Sequence, residues 1–301
     1  MAFNHPAWSW KELAATLSGR KGRDGRAPGS LSWNAGGDSP AWGRRRQPFE
    51  APDDVRAGAG VVPYAELHCH SNYSFLDGSS HPEELVTEAA RLGLETLALT
   101  DHDGFYGVVR FAEAARAVGL GTAFGAEITV TCDGTAARRE VDTLTQIDTG
   151  RVPDSHAPDP GGTHLLVLAD GPDGYARLAR ALSHGHLAGE KGAPRFSFDD
   201  LVTELAGHCW ILTGCRKGAV PAALRRDGRD AARRELRRLM EGFGHDRVLV
   251  ELWDHGDPLD GPRNDTLFAL GHELGLGCVA TNNVHYARPA DRRLDTAVAA
   301  G

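Results

Sequence analysis

The chain has 301 residues, a formal net charge of −8, 37 glycines, 16 prolines, 5 cysteines and 14 histidines. That length allows one large domain or two small ones, and the Gly and Pro content stays below the ~25–30% of low-complexity chains. No apolar run approaches the ~18 residues of a membrane helix, the start lacks a basic-then-apolar secretory order, and the bulk charge does not advertise a polyanion binder. Membrane, collagen-like and wholly disordered classes are thereby excluded. Cysteines at 69, 132, 209, 215 and 278 form no disulfide framework and suit a reducing cytoplasm.

Residues 1–50 carry eight Lys/Arg against four acids and four of the six tryptophans: Trp8, Trp10, Trp33 and Trp42. We read 1–60 as a basic, Trp- and Gly-rich arm. Arg20, Lys21, Arg23, Arg26 and Arg44 to Arg46 suit phosphates while the indoles stack on bases. The competing reading is an extended arm packed on a domain surface, with Trp as anchors.

From residue 64 the pattern changes. Strand-like runs at 64–69, 95–100, 122–130, 163–169, 208–213, 247–252 and 276–281 alternate with helix-like stretches at 81–93, 107–118, 173–187, 219–243 and 262–274. The first helix has a start signal in Ser80 with Glu83, Pro82 in its first turn, and a stop at Gly93. Residues 132–162 and 188–200 read as loops. Seven such units predict parallel βα pairing and a barrel with its functional residues at the C-terminal strand ends.

Ligand-capable residues occur after, or within, six of the seven strand-like runs. His68 and His70 have i, i+2 spacing and so share one strand face. Asp77 follows, with a turn Asp–Gly as its bland reading. His102 lies between Asp101 and Asp103, either of which suits an acceptor for a ligand imidazole or a helix cap. Glu127 is an acid inside an apolar strand, which is costly unless paired or ligated. His164 opens a strand. Cys215, with Arg216 and Lys217 behind it as phosphate contacts or plain surface charges, follows another. Asn283 and His285 close the series. Imidazole, carboxylate and a possible thiolate suit Zn²⁺, Mn²⁺ or Fe²⁺, and more than one ion, with Glu127 as the bridging carboxylate. His102 or His285 would carry protons. The other nine histidines, His5, His81, His156, His184, His186, His208, His245, His255 and His272, read as structural or solvated.

Taken as a set, HCHSNYSFLDG, ALTDHDGFYGVVRF, FGAEITV, THLLVLA, LTGCRKGAVPAAL and VATNNVHYA resemble the motifs of a PHP (polymerase and histidinol phosphatase) domain. The likeness is to the PHP domain that begins error-prone DNA polymerases of the C family, actinobacterial type. The resemblance implies an α/β, distorted (β/α)7 barrel over 61–301 with a trinuclear site of divalent metals. By motif the ligands would be His68, His70, Asp77, His102, Glu127, His164, Cys215, Asn283 and His285, with Asn283 standing where metal-binding members usually have Asp. It further implies a role in damage-tolerant DNA synthesis, metal-dependent 3′–5′ exonuclease or phosphoesterase chemistry, and DNA as partner. Against such polymerases the chain reads as C-terminally truncated, without palm or fingers, so no nucleotidyl transfer is expected of it alone. A stand-alone histidinol-phosphatase-like phosphoesterase and a non-catalytic, metal-stabilised scaffold are the alternatives.

Overall fold

The computed structural model describes residues 49–58, 63–130 and 162–299. The tryptophans and basic groups of 1–48, and all but the last residue of the loop read at 132–162, lie outside the described residues. The end of the segment read as an arm is described: Val55 is buried and Ala57 N–H donates to Val118 O at 2.8 Å.

The elements follow in chain order as β1 (Ala65–Glu66), α1 (Pro82–Leu92), β2 (Thr96–Leu99), α2 (Val108–Val118), β3 (Gly121–Val130) and β4 (Thr163–Ala169). Then come α3 (Gly171–Ala188), α4 (Phe198–Leu205), β5 (Cys209–Leu212), α5 (Ala219–Asp227), α6 (Arg229–Phe243), β6 (Val248–Leu252), α7 (Asp260–Leu274), β7 (Gly277–Ala280) and α8 (Arg292–Ala299). The seven strands form one sheet in sequential order. It nearly closes on itself: Cys69 bridges Val284, His70 N–H donates to Val284 O at 2.7 Å, and Val284 N–H donates to His68 O at 2.8 Å. No helix among the described residues is long and apolar enough to cross a membrane.

Four of the six strand pairings are parallel, as the alternating pattern predicts, but β4 runs antiparallel to both β3 and β5. Val130 pairs with Thr163, so the chain enters β4 at the end where it left β3. This corrects the all-parallel reading, and it turns the N-terminal end of β4 toward the C-terminal ends of the other strands.

Three local expectations also shift. The N-cap of α1 is His81, not Ser80: the Glu84 carboxylate accepts from His81 N–H at 2.8 Å, while Ser80 Oγ accepts from Ala287 N–H. The stretch 219–243 is two helices, because Gly228 adopts φ 82°, ψ −172°, a conformation that a side chain opposes. Part of the loop read at 188–200 belongs to α4, which Ser197 caps by accepting from Asp200 N–H. The helices cover the sheet through an apolar core that includes Ile128, Val167, Leu178, Ile211, Leu236, Phe243, Val250 and Leu267. Truncating a ring such as Phe243 would cost about 3–5 kcal/mol.

Candidate metal centre

β2 continues past Leu99 far enough for His102 to bridge Glu127 of β3. That pairing sets the His102 ring beside the carboxylate, and β4 brings His164 in from the next strand. Glu127 is the hub. Its Oε1 lies 3.4 Å from His68 Nε2, and its Oε2 lies 3.5 Å from His70 Nε2, 3.4 Å from His102 Nδ1 and 3.1 Å from His164 Nδ1. Cys215 Sγ stands 3.7 Å from Glu127 Oε1. Asp77 extends the cluster: its Oδ2 is 3.1 Å from His102 Nε2 and 3.2 Å from His285 Nδ1. Three groups of donors each converge within 4.8 Å: His68–His70–Glu127, His70–Asp77–His102 and His102–Glu127–His164.

The turn reading of Asp77 also holds. Asp77 N–H and Gly78 N–H both donate to Ser74 O, and a Cβ on Gly78 would stand 2.1 Å from Ser71 O. Asn283 adopts φ 46°, and its buried Oδ1 accepts no hydrogen bond among the described residues. Arg216 is exposed and Lys217 half-buried, with His164 N–H donating to the Lys217 carbonyl at 3.0 Å.

The acceptor behind a ligand imidazole is neither Asp101 nor Asp103, the two acids beside His102. The acids flanking His102 are committed to other donors, and Asp103 turns the chain at φ 51°. Asp101 accepts from Ser71 N–H at 2.7 Å, and Asp103 accepts from Thr129 N–H at 2.7 Å. The partner is Glu251, whose Oε1 is 2.7 Å from His68 Nδ1 and also accepts from Thr281 Oγ1 at 2.6 Å. The sequence reading passed over Glu251, although VLVEL carries the same signal as Glu127, an acid in an apolar strand. It also passed over Glu66, which accepts from His68 N–H and Asn282 N–H and so ties the two strand ends that carry His68 and Asn283. His255, set aside from the sequence, contacts the Asn282 carbonyl through Nε2 at 2.7 Å.

These contacts decide which ring nitrogens are free. Ser74 Oγ gives its single proton to Asp101 and accepts from His102 N–H, so at 3.2 Å from His70 Nδ1 it acts only as acceptor. His70 therefore carries its proton on Nδ1, and its Nε2 lone pair faces His68 Nε2 at 3.1 Å. His68 Nδ1 is likewise committed to Glu251. Two lone pairs at that distance would repel, so the contact is favourable when His68 Nε2 carries a proton, and both nitrogens would be available as ligands to a divalent cation. Burial opposes charging His68, but Glu251 and Glu127 outweigh it and push its pKa well above the usual imidazole range. Burial and the neighbouring His102 hold His70 well below that range. Burial works to raise Glu127, yet His164 and His68 pull it well below the ordinary carboxylate value. Burial, then Glu127, pushes the Cys215 thiol up to about 12. A buried set of imidazoles, carboxylates and one thiol, with lone pairs converging, fits divalent cations.

The family model for the PHP domain matches residues 66–255. Over 97% of its length the chain is 48% identical to an error-prone DNA polymerase of Nocardia farcinica, of which it covers 27%. It is 50% identical over 97% of its length to an error-prone DNA polymerase of Mycobacterium tuberculosis, of which it covers 24%. It is 32% identical over 76% of its length to the DNA polymerase III subunit alpha of Treponema pallidum, of which it covers 18%. The chain thus spans about a quarter of the error-prone polymerases it matches. The solved structure of an amidohydrolase from Chromobacterium violaceum aligns with 78% of this chain and 96% of that one, at TM-score 0.49 and 17% identity. With a match running from Glu66 in β1 to His255 beyond β6, the chain belongs to the PHP domain family.

Proposed function

We propose that this chain forms the N-terminal PHP domain of an error-prone DNA polymerase used in damage-tolerant synthesis, and that its cluster hydrolyses phosphoesters at a DNA 3′ end. Residues 1–60 are the arm and 61–301 the metal-binding barrel, acting in the cytoplasm with DNA and the polymerase palm and fingers as partners. The observation that carries the hydrolytic reading is the sharing of residues among three donor groups: His70, His102 and Glu127 each belong to two of them. That is the arrangement adjacent cations need.

His68, His70, Asp77, His102, Glu127, His164, Cys215, Asn283 and His285 are the residues we assign to two or three divalent ions, Zn²⁺, Mn²⁺ or Fe²⁺. Such ions, when bound, supply Lewis-acid polarisation of the phosphoester and acidify water. Glu251 fixes the tautomer and direction of His68, and Ser74 does so for His70. Glu127 lies at the centre as the shared carboxylate. His102 and His285, both beside Asp77, are the groups placed to move a proton between site and solvent. Arg216 and Lys217, directly after Cys215, are the cations assigned to the substrate phosphate.

The test is hydrolysis of a 5′-labelled single-stranded oligonucleotide by the chain supplied with Mn²⁺ or Zn²⁺. Shortening from the 3′ end that disappears in His68→Ala and Glu127→Gln supports the reading. Shortening that persists in both variants overturns it. Bound metal without any shortening favours the scaffold role instead.

A further inference from the structure

The side chains at the heart of the cluster are sealed: His68, His70, Glu127 and His164 are 0 to 2% exposed. Accessibility rises in one direction, to 8% for His102, 13% for Asp77 and 26% for His285. A substrate therefore approaches from the Asp77–His285 side. Two of the segments that border it are loops, one carrying His70 and Asp77, the other carrying His102; the His285 segment and Asp295 of α8 lie beside them. The two loops touch: His102 N–H donates to Ser74 Oγ, and a Cβ on Gly107 would stand 3.1 Å from the Tyr73 ring.

Each loop displays an exposed aromatic residue. Phe75, two residues before Asp77, is 81% exposed, and Tyr106, four residues after His102, is 50% exposed. A single exposed ring is ordinary, but Phe75 sits on a rigid segment. Ser74 Oγ bonds Asp101 and His102, Ser74 O accepts from Asp77 and Gly78, and Ser79 N–H donates to His285 O at 2.9 Å. The next residue, Leu76, is held at φ 63°. A left-handed leucine is strained and persists only where its surroundings dictate it. Tyr106 is fixed as well: its ring lies against Gly104, where a Cβ would stand 2.3 Å from it, and its hydroxyl is 3.2 Å from His186 Nε2. His186 Nε2 in turn donates to Asp103 O at 2.7 Å.

We infer that Phe75, with Tyr106 as a second aromatic, stacks on a nucleobase next to the phosphoester that enters this site. The inference rests on the phosphoesterase reading above and names its specificity residues. Phe75 has no polar group to offer; its contribution is a flat apolar face, and every base has a π-face to lay on it. Stacking of this kind accepts any base, so it selects nucleotides over plain phosphomonoesters without reading sequence.

The experiment uses the whole chain loaded with Mn²⁺ and two short single-stranded DNA probes labelled at the 5′ end. One ends in an ordinary 3′ nucleotide, the other in an abasic residue. Fluorescence anisotropy gives both affinities and gel analysis gives both cleavage rates. The wild-type chain is expected to favour the base-bearing end by about tenfold, within the range that stacking one base supplies. Phe75→Ala is expected to bring that ratio close to one, and Phe75→Trp to preserve it, with far-ultraviolet circular dichroism unchanged in both. Tyr106→Ala lowers the ratio and Tyr106→Phe keeps it. A wild-type ratio near one, a ratio that survives Phe75→Ala, or no binding of either probe overturns the inference. Base preference in binding without any cleavage sinks the phosphoesterase reading and leaves the stacking assignment standing. Cleavage without base preference does the reverse.

Discussion

Glu251 Oε1 lies 2.7 Å from His68 Nδ1, across 183 positions of sequence, and both side chains are fully buried. The contact points the other ring nitrogen of His68 into the cluster. Glu251→Gln keeps the shape and removes the charge, and it is expected to weaken divalent-cation binding about 10–100-fold, the usual effect of losing a carboxylate behind a ligand histidine. Competition with a chromogenic chelator measures it. An unchanged affinity would mean that Glu251 serves only the packing of β6.

Metal removal should cost stability. A cation that binds only the folded chain stabilises it by about 2.7 kcal/mol at a hundredfold excess over Kd. For a domain of this size that corresponds to a rise in Tm of about 5–10 °C. Differential scanning fluorimetry with and without EDTA reads the shift. Coincident melting curves would count against a resident metal.

Binding should also release protons. In the metal-free chain His68 is held above the ordinary imidazole pKa and Cys215 is pushed up to about 12, so both carry protons at neutral pH. A cation must displace them. Affinity is therefore expected to rise with pH across the neutral range, because both groups still hold their protons there and releasing them becomes more favourable as the proton concentration falls. Calorimetry in buffers of different ionisation enthalpy counts the protons. A buffer-independent enthalpy contradicts the assignment of these two groups.

Gly78→Ala tests the Asp77 turn. The added Cβ would meet Ser71 O at 2.1 Å, a backbone atom that cannot step aside cheaply. The turn must open, pulling Asp77 from His102 and His285. Metal affinity is expected to fall at least tenfold, together with a loss of about 1–3 kcal/mol in denaturant unfolding. Full affinity in the variant would show that Asp77 contributes little to binding.

Asn283→Asp is the opposite experiment. The Asn283 amide oxygen is buried and accepts no hydrogen bond among the described residues, so a carboxylate there adds charge where a cation can use it. Affinity is expected to rise roughly tenfold. The metal-free variant should lose about 1–3 kcal/mol, because a buried acceptor without a partner is costly. Equal affinity in both proteins would place Asn283 outside the ligand set.

Much of this was legible in order of residues. Each of the seven strand runs appears within a few residues of its place, because alternating βα composition and glycine stops are local signals. The pairing of His68 with His70 was legible because i, i+2 spacing on an extended chain is local geometry. Glu127 was legible as an acid in an apolar run. The α1 cap moved by one residue, since Ser80 and His81 both precede a proline and only the tertiary contact of Ser80 with Ala287 separates them. The break at Gly228 was missed because a helical pattern continues on both sides of it.

The sequence by itself determined the ligand types, their order and their place beside strands, since composition and period are properties of neighbouring residues. Only the tertiary structure decided which carboxylate serves which histidine. Asp101 and Asp103 adjoin His102 in sequence yet accept from Ser71 and Thr129, whereas Glu251 reaches His68 from β6. It also decided why His164, at the start of its strand, joins residues at the ends of others: β4 runs antiparallel to its neighbours. Both outcomes depend on strand direction and sheet closure, which arise from contacts between distant segments.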